Sequence, residues 1–136
     1  MKTKHIFIIL IGMTFSAFGQ SSKLKTADKK YNTYSYIDAI EIYENVAEKG
    51  YKSTDLFQKL GNSYYFNGEL NKAENAYEEL FALNQEVEAE YYFRYAQTLK
   101  SQEKYEMADQ YMAKFNQKTT DSRGKLFAQN KDYLKD

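Results

Sequence analysis

The sequence predicts an all-α domain, and three observations carry that reading. The 136 residues contain no proline and no cysteine. No helix-breaking ring and no disulfide or thiolate staple is therefore present, and the core must come from helix packing. Apolar residues recur at three- and four-residue spacing along most of the chain, the signature of helices with one buried face. The stretch Thr54–Asn84 then places two such segments on either side of Asn67-Gly68, a dipeptide suited to ending one helix and starting the next.

Met1 to Gly19 reads as a signal peptide. Lys2, Lys4 and His5 give it a positive start, Ile6 to Phe18 is an apolar run broken by Gly12, Thr14 and Ser16, and Ala17-Phe18-Gly19 suits cleavage before Gln20. The run falls short of the ~20 residues that span a bilayer, so no membrane insertion of the mature chain is expected. No cysteine follows it, which excludes lipoprotein processing. An exported, soluble mature protein follows.

Ser21 to Asn32 carries Leu24, Ala27 and Tyr31 at helical spacing. From Tyr36, an apolar stripe of Ala39, Ile40, Tyr43, Val46 and Ala47 defines a second helix, with Gly50 as its stop. Ser53 is the expected N-cap of a third helix that ends at Phe66, and its partner runs from about Leu70 to Leu83. A further pair covers Glu88–Lys100 and Tyr105–Phe115. Thr120 or Asp121 is expected to cap a last helix, with Leu126, Phe127, Tyr133 and Leu134 as its apolar contacts.

The second helices of the pairs superimpose. Tyr36–Tyr43, Leu70–Tyr77 and Tyr105–Met112 align with Ala39, Ala73 and Ala108 in register, 34 and 35 residues apart. The first helices align likewise, Ala27 with Gly61 and Ala96, and Leu60 with Tyr95. Gly61 and Ala73 are expected where the two helices of the central pair cross. The pattern LG..Y...G.L..A...Y, nearly complete from Leu60 to Tyr77, resembles the tetratricopeptide (TPR) repeat, whose period is ~34 residues. Departures from it are Lys30 at an apolar position, Glu103 at the turn glycine and the absence of the closing proline. The resemblance implies a TPR-type right-handed superhelix of three antiparallel helix pairs, at about 20–53, 54–88 and 89–119, and a C-terminal capping helix or linker over 120–136.

A narrower resemblance concerns the leader ending in FGQ, the Tyr- and Asn-rich array and the stretch Tyr91–Ser101, YYFRYAQTLKS. Together they are similar to the N-terminal TPR region of exported Bacteroidetes OmpA-family envelope proteins. In those proteins the repeats precede a PD40 region and a peptidoglycan-binding domain, and some relatives serve type IX secretion or gliding. The resemblance implies a periplasmic, outer-membrane-associated location, and a chain still helical at Asp136 fits the N-terminal part of such a protein.

Composition argues against chemistry. The only histidine is His5, within the leader, so the mature chain lacks the commonest general base, thiol nucleophile and transition-metal ligands. Glu78-Glu79 and Glu86, Glu88, Glu90 stand among Lys and Asn at the spacing of solvated helix faces. No enzyme, cofactor or metal is expected. Without residues 1–19 the chain carries 17 basic and 19 acidic residues, a balance that points to neither nucleic acid nor an anionic membrane.

In a TPR array the first helix of each pair lines the concave side. Projected onto that arrangement, the face comprises Asp28, Tyr31 and Asn32, then Gln58, Asn62, Tyr65 and Phe66, then Phe93, Gln97 and Lys100. Amides that bond a peptide backbone beside rings that cover its side chains suit a protein partner in extended form. Phe66 and Phe93 equally suit contacts between helices. The carboxylate clamp of chaperone-binding arrays is not matched, since Leu24, Asp28, Phe93 and Gln97 occupy its places and Asn62 alone conforms. The expectation is a protein-interaction scaffold. The alternative is a structural spacer or self-associating homo-oligomer with no peptide ligand.

Overall fold

The computed structural model describes the backbone over residues 19–133 and the side chains over residues 19–126. Six helices account for most of it: α1 (19–32), α2 (Tyr36–Glu48), α3 (Thr54–Phe66), α4 (Leu70–Leu83), α5 (Ala89–Ser101) and α6 (Tyr105–Tyr133). No strand occurs among the described residues. The expected leader lies outside them except for Gly19, with which α1 begins.

Local chemistry explains the helix ends. Ser53 sits in extended backbone and its Oγ accepts the Leu56 N–H at 3.1 Å, the N-cap expected from sequence. Gly50, at φ +85°, follows α2 as its stop.

The three turns inside the pairs share one hydrogen-bond pattern. Ser35, Glu69 and Lys104 N–H groups donate to the carbonyls of Lys30, Tyr64 and Leu99, and the preceding N–H of Tyr34, Gly68 and Glu103 donates to Tyr31, Tyr65 and Lys100. This is the Schellman closure, which places one residue in the left-handed region. That residue is Tyr34 at φ 60°, Gly68 at 80° and Glu103 at 60°. The same turn is thus held at all three places although only one has the glycine.

The repeat register appears in burial. Ala27, Gly61 and Ala96 in the first helices, and Ala39, Ala73 and Ala108 in the second, are all buried. Successive helices pack on one another from α2 to α6, and α3 also touches α5, the contact that stacks one hairpin on the next. At the centre, Gly61 faces the ring of Tyr77: a Cβ there would lie 2.7 Å from Cε1 and 2.8 Å from Cδ1. The small residue makes room for an aromatic ring.

The last helix departs from expectation. No break occurs near Thr120 or Asp121, and α6 runs unbroken to Tyr133, so the capping segment continues the sixth helix. Thr119 donates to the carbonyls of Phe115 and Asn116, Thr120 to Asn116 and Ser122 to Lys118, so these hydroxyls bond back into the helix instead of capping a new one. No proline or left-handed residue interrupts it. Leu126, expected as an apolar contact, is exposed; Phe127, Tyr133 and Leu134 lie outside the described side chains.

Candidate protein-interaction face

Helices α1, α3 and α5 share one face of the array, and the residues expected to line it fall into two groups. The first group is engaged by the fold. Asn62 is 1 % exposed. Its carboxamide donates to the Tyr31 hydroxyl at 2.9 Å, and its carbonyl oxygen accepts from the Tyr77 hydroxyl at 2.9 Å and from Arg94 Nη1 at 3.1 Å. It therefore joins α1, α4 and α5 to α3, and its polar atoms are not free for a ligand. This corrects its assignment as a partner-binding residue.

Asp28 plays the matching role one repeat earlier. It accepts from the Tyr43 hydroxyl at 2.6 Å and pairs with Lys59 at 2.9 Å. Tyr43 and Tyr77 thus donate to residues at one repeat position, each across a sequence separation of 15. In the third pair Met112 stands where those tyrosines stand, so the equivalent Gln97 receives no such bond. Gln58 is tied by its amide to Glu88 at 3.1 Å.

The second group remains at the surface. Phe66 is 47 % exposed and Phe93 38 %, whereas Asn32 and Lys100 are exposed and Tyr31, Tyr65 and Gln97 half-buried. The Phe66 ring stacks on Tyr36 at 5.3 Å and meets Tyr65 edge-on at 5.5 Å, while Phe93 packs against Phe115 at 5.3 Å. Each ring packs on a neighbouring helix and keeps part of its surface exposed.

Three residues missed by sequence reasoning complete the face: Tyr36, Tyr91 and Arg94. The Arg94 guanidinium lies over Phe66 at 5.0 Å and over Tyr91 at 5.9 Å, and Nη2 pairs with Glu90 at 2.7 Å. Burial raises the pKa of the Tyr36, Tyr77 and Tyr91 phenols above the ordinary range, and in each case the charge of Arg94 opposes the rise. An arginine therefore sits amid a ring of aromatic side chains. One sequence signal could have found it. Glu90 and Arg94 stand where Asp55 and Lys59 stand one repeat earlier, and both pairs form ion bridges four residues apart.

Clefts open elsewhere. One of about 440 Å³ lies beside Glu69, Asn71 and Gln102, one of about 330 Å³ opens between α1 and α2, beside Lys23, Glu41 and Ile42, and one of about 310 Å³ lies beside Phe57, Tyr64 and Lys72. None of the three brings together groups that suggest chemistry. Among the described residues no group of His, Cys, Asp or Glu is placed to hold a metal, and no helix is long and apolar enough to cross a membrane.

The fold matches a solved structure, the C-terminal part of a TPR repeat-containing protein from Cytophaga hutchinsonii. The TM-score is 0.66 and the identity 19 %, over 82 % of this chain and 43 % of that one, so this chain spans less than half the length of the solved chain. No protein-family model and no curated protein matches. The chain accordingly has an all-α, TPR-type fold.

Proposed function

We propose that this protein is an interaction scaffold whose α1–α3–α5 face holds an extended segment of a protein partner. The observation that carries this reading is the exposure of Phe66 and Phe93 beside the half-buried Gln97 and the aromatic-flanked Arg94. Apolar rings next to polar groups suit main-chain and side-chain contacts with a strand-like ligand. A catalytic role is not proposed, because histidine and cysteine are absent beyond His5 and the clefts gather no reactive set.

The test is site-specific photo-crosslinking in cells that make the protein, with a benzoyl-phenylalanine at position 93 or 97 and a control at Lys49. Adducts to a discrete protein from the first two positions and not the third support the reading. Equal labelling from all three overturns it.

The location proposed with this function is the periplasm, in association with the outer membrane, within an OmpA-family envelope protein connected to type IX secretion or gliding. It rests on the leader-like start and the resemblance of Tyr91–Ser101. A mature N-terminus at Gln20 in the periplasmic or outer-membrane fraction supports it, and an intact Met1 in the cytoplasm refutes it. A spacer or self-associating protein is the second reading, favoured by the engagement of Asp28 and Asn62 inside the fold. Sedimentation showing a concentration-dependent dimer, without crosslinks to other proteins, would support it.

A further inference from the structure

Arg94 is held from several directions, and the restraints differ in kind. Behind it Asn62 is buried and fixed by two tyrosine hydroxyls, so its carbonyl oxygen offers Nη1 an acceptor held in place. The guanidinium lies over the rings of Phe66 and Tyr91. Only 18 % of the Arg94 side chain is exposed. On the outer side stands Glu90, whose side chain is 51 % exposed and which reaches Nη2 from one helical turn away. A pair at this spacing whose carboxylate stands in water is weakly held and readily exchanged.

A guanidinium has five N–H donors, and the described contacts use two, one to Asn62 and one to Glu90. Its geometry matches a carboxylate fork, and aromatic flanks orient it in advance. Glu90 shows that a carboxylate fits the outer side of this guanidinium.

Given that this face binds an extended segment, we infer that Arg94 is its specificity residue: it reads an acidic side chain of that segment, whose carboxylate takes the place of Glu90. Arg94 is distinct from the residues that would form a chaperone-type carboxylate clamp. Lys59, its counterpart one repeat earlier, cannot serve equally, because it is already shared between Asp28 and Asp55.

The experiment selects a phage-displayed library of random linear peptides against the wild-type chain and against Arg94→Gln, and then measures synthetic copies of the recovered peptides on both. In this format the peptide's C-terminus is fused, so internal acidic side chains alone are sampled. The expected result is a wild-type pool enriched in Asp or Glu at one position, with at least a tenfold loss of affinity on Arg94→Gln or when that acid is made an amide. Glu90→Gln, which leaves the buried contacts intact, should tighten the same peptides about two- to threefold, an effect that a purely structural arginine would not produce. Peptides recovered without acid preference, or weakened by Glu90→Gln, overturn the assignment of Arg94 while leaving the binding face standing. Recovery of no peptide by the wild type overturns both. Should Arg94→Gln fail to fold, the Glu90→Gln arm decides.

Discussion

The ring of Tyr77 occupies the space that a side chain on Gly61 would need. The nearest ring atom is 2.7 Å from where that Cβ would stand. Tyr77 cannot yield easily, because it is fully buried and its hydroxyl is tied to Asn62 at 2.9 Å. Gly61→Ala should therefore destabilise the fold by about 1–3 kcal/mol, even though alanine is the better helix former. Gly124 offers the opposite case, since it lies in α6 with nothing within 4 Å. Gly124→Ala should be neutral to stabilising by up to ~1 kcal/mol. Urea unfolding of the two variants, read by circular dichroism, gives both signs.

Glu103 should gain from becoming glycine. It has φ 60° in the turn where Gly68 has 80°, and a Cβ in that region costs about 1–2 kcal/mol, less the entropy a glycine loses on folding. Glu103→Gly is expected to stabilise by roughly 0.5–1 kcal/mol. Tyr34→Gly should gain less, because the Tyr34 ring meets Tyr36 edge-on at 6.2 Å and that contact is lost. Thermal melts of both variants against wild type check the order.

Asn62 should matter for stability more than its polarity suggests. Asn62→Leu would leave the buried Tyr77 hydroxyl and one Arg94 donor without their acceptor, at about 1–3 kcal/mol for each group left unpaired in the interior. Denaturant unfolding with near-ultraviolet circular dichroism of the tyrosines tests this. Asn62→Leu at wild-type stability would show that water replaces the amide.

Alkaline pH should unfold the protein. Burial, followed by bonds to carboxylates at two of them, raises the phenol pKa of Tyr43 (Asp28) and Tyr64 (Glu44), and burial raises that of Tyr77, from an ordinary value near 10. A raised folded value means the stabilisation is complete below the unfolded pKa and is lost as pH climbs toward the folded one. Stability should thus fall above pH ~10, with a slope approaching about 1.4 kcal/mol per pH unit for Tyr77 alone. Phenolate absorbance near 295 nm should rise together with loss of helical signal. Ionisation of all tyrosines with the helices intact would contradict it.

Much of the fold was legible because helices write themselves locally. The Ser53 cap, the Gly50 stop and the helix bounds at Leu70 and Leu83 follow from side chains within a few residues. The sixth helix was misjudged near Thr120 for a local reason too: its hydroxyls could cap a new helix or bond back into the old one, and they do the latter. The candidate face was only partly legible. Phe66, Phe93 and Lys100 are exposed as projected, but Asn62 is buried and Arg94 was missed.

By itself the sequence determined three helix pairs, their 34- and 35-residue recurrence and the small-residue slots at which they pack. Periodicity, caps and turn geometry all act over one or two helical turns, so each can be read from neighbours in the chain. The tertiary structure alone decided which polar side chains stay at the surface and which hold the stack together. Asn62 meets Tyr31 across 31 residues and Arg94 across 32. Whether such groups converge on one amide depends on how far each hairpin rotates over the last, which no single helix encodes.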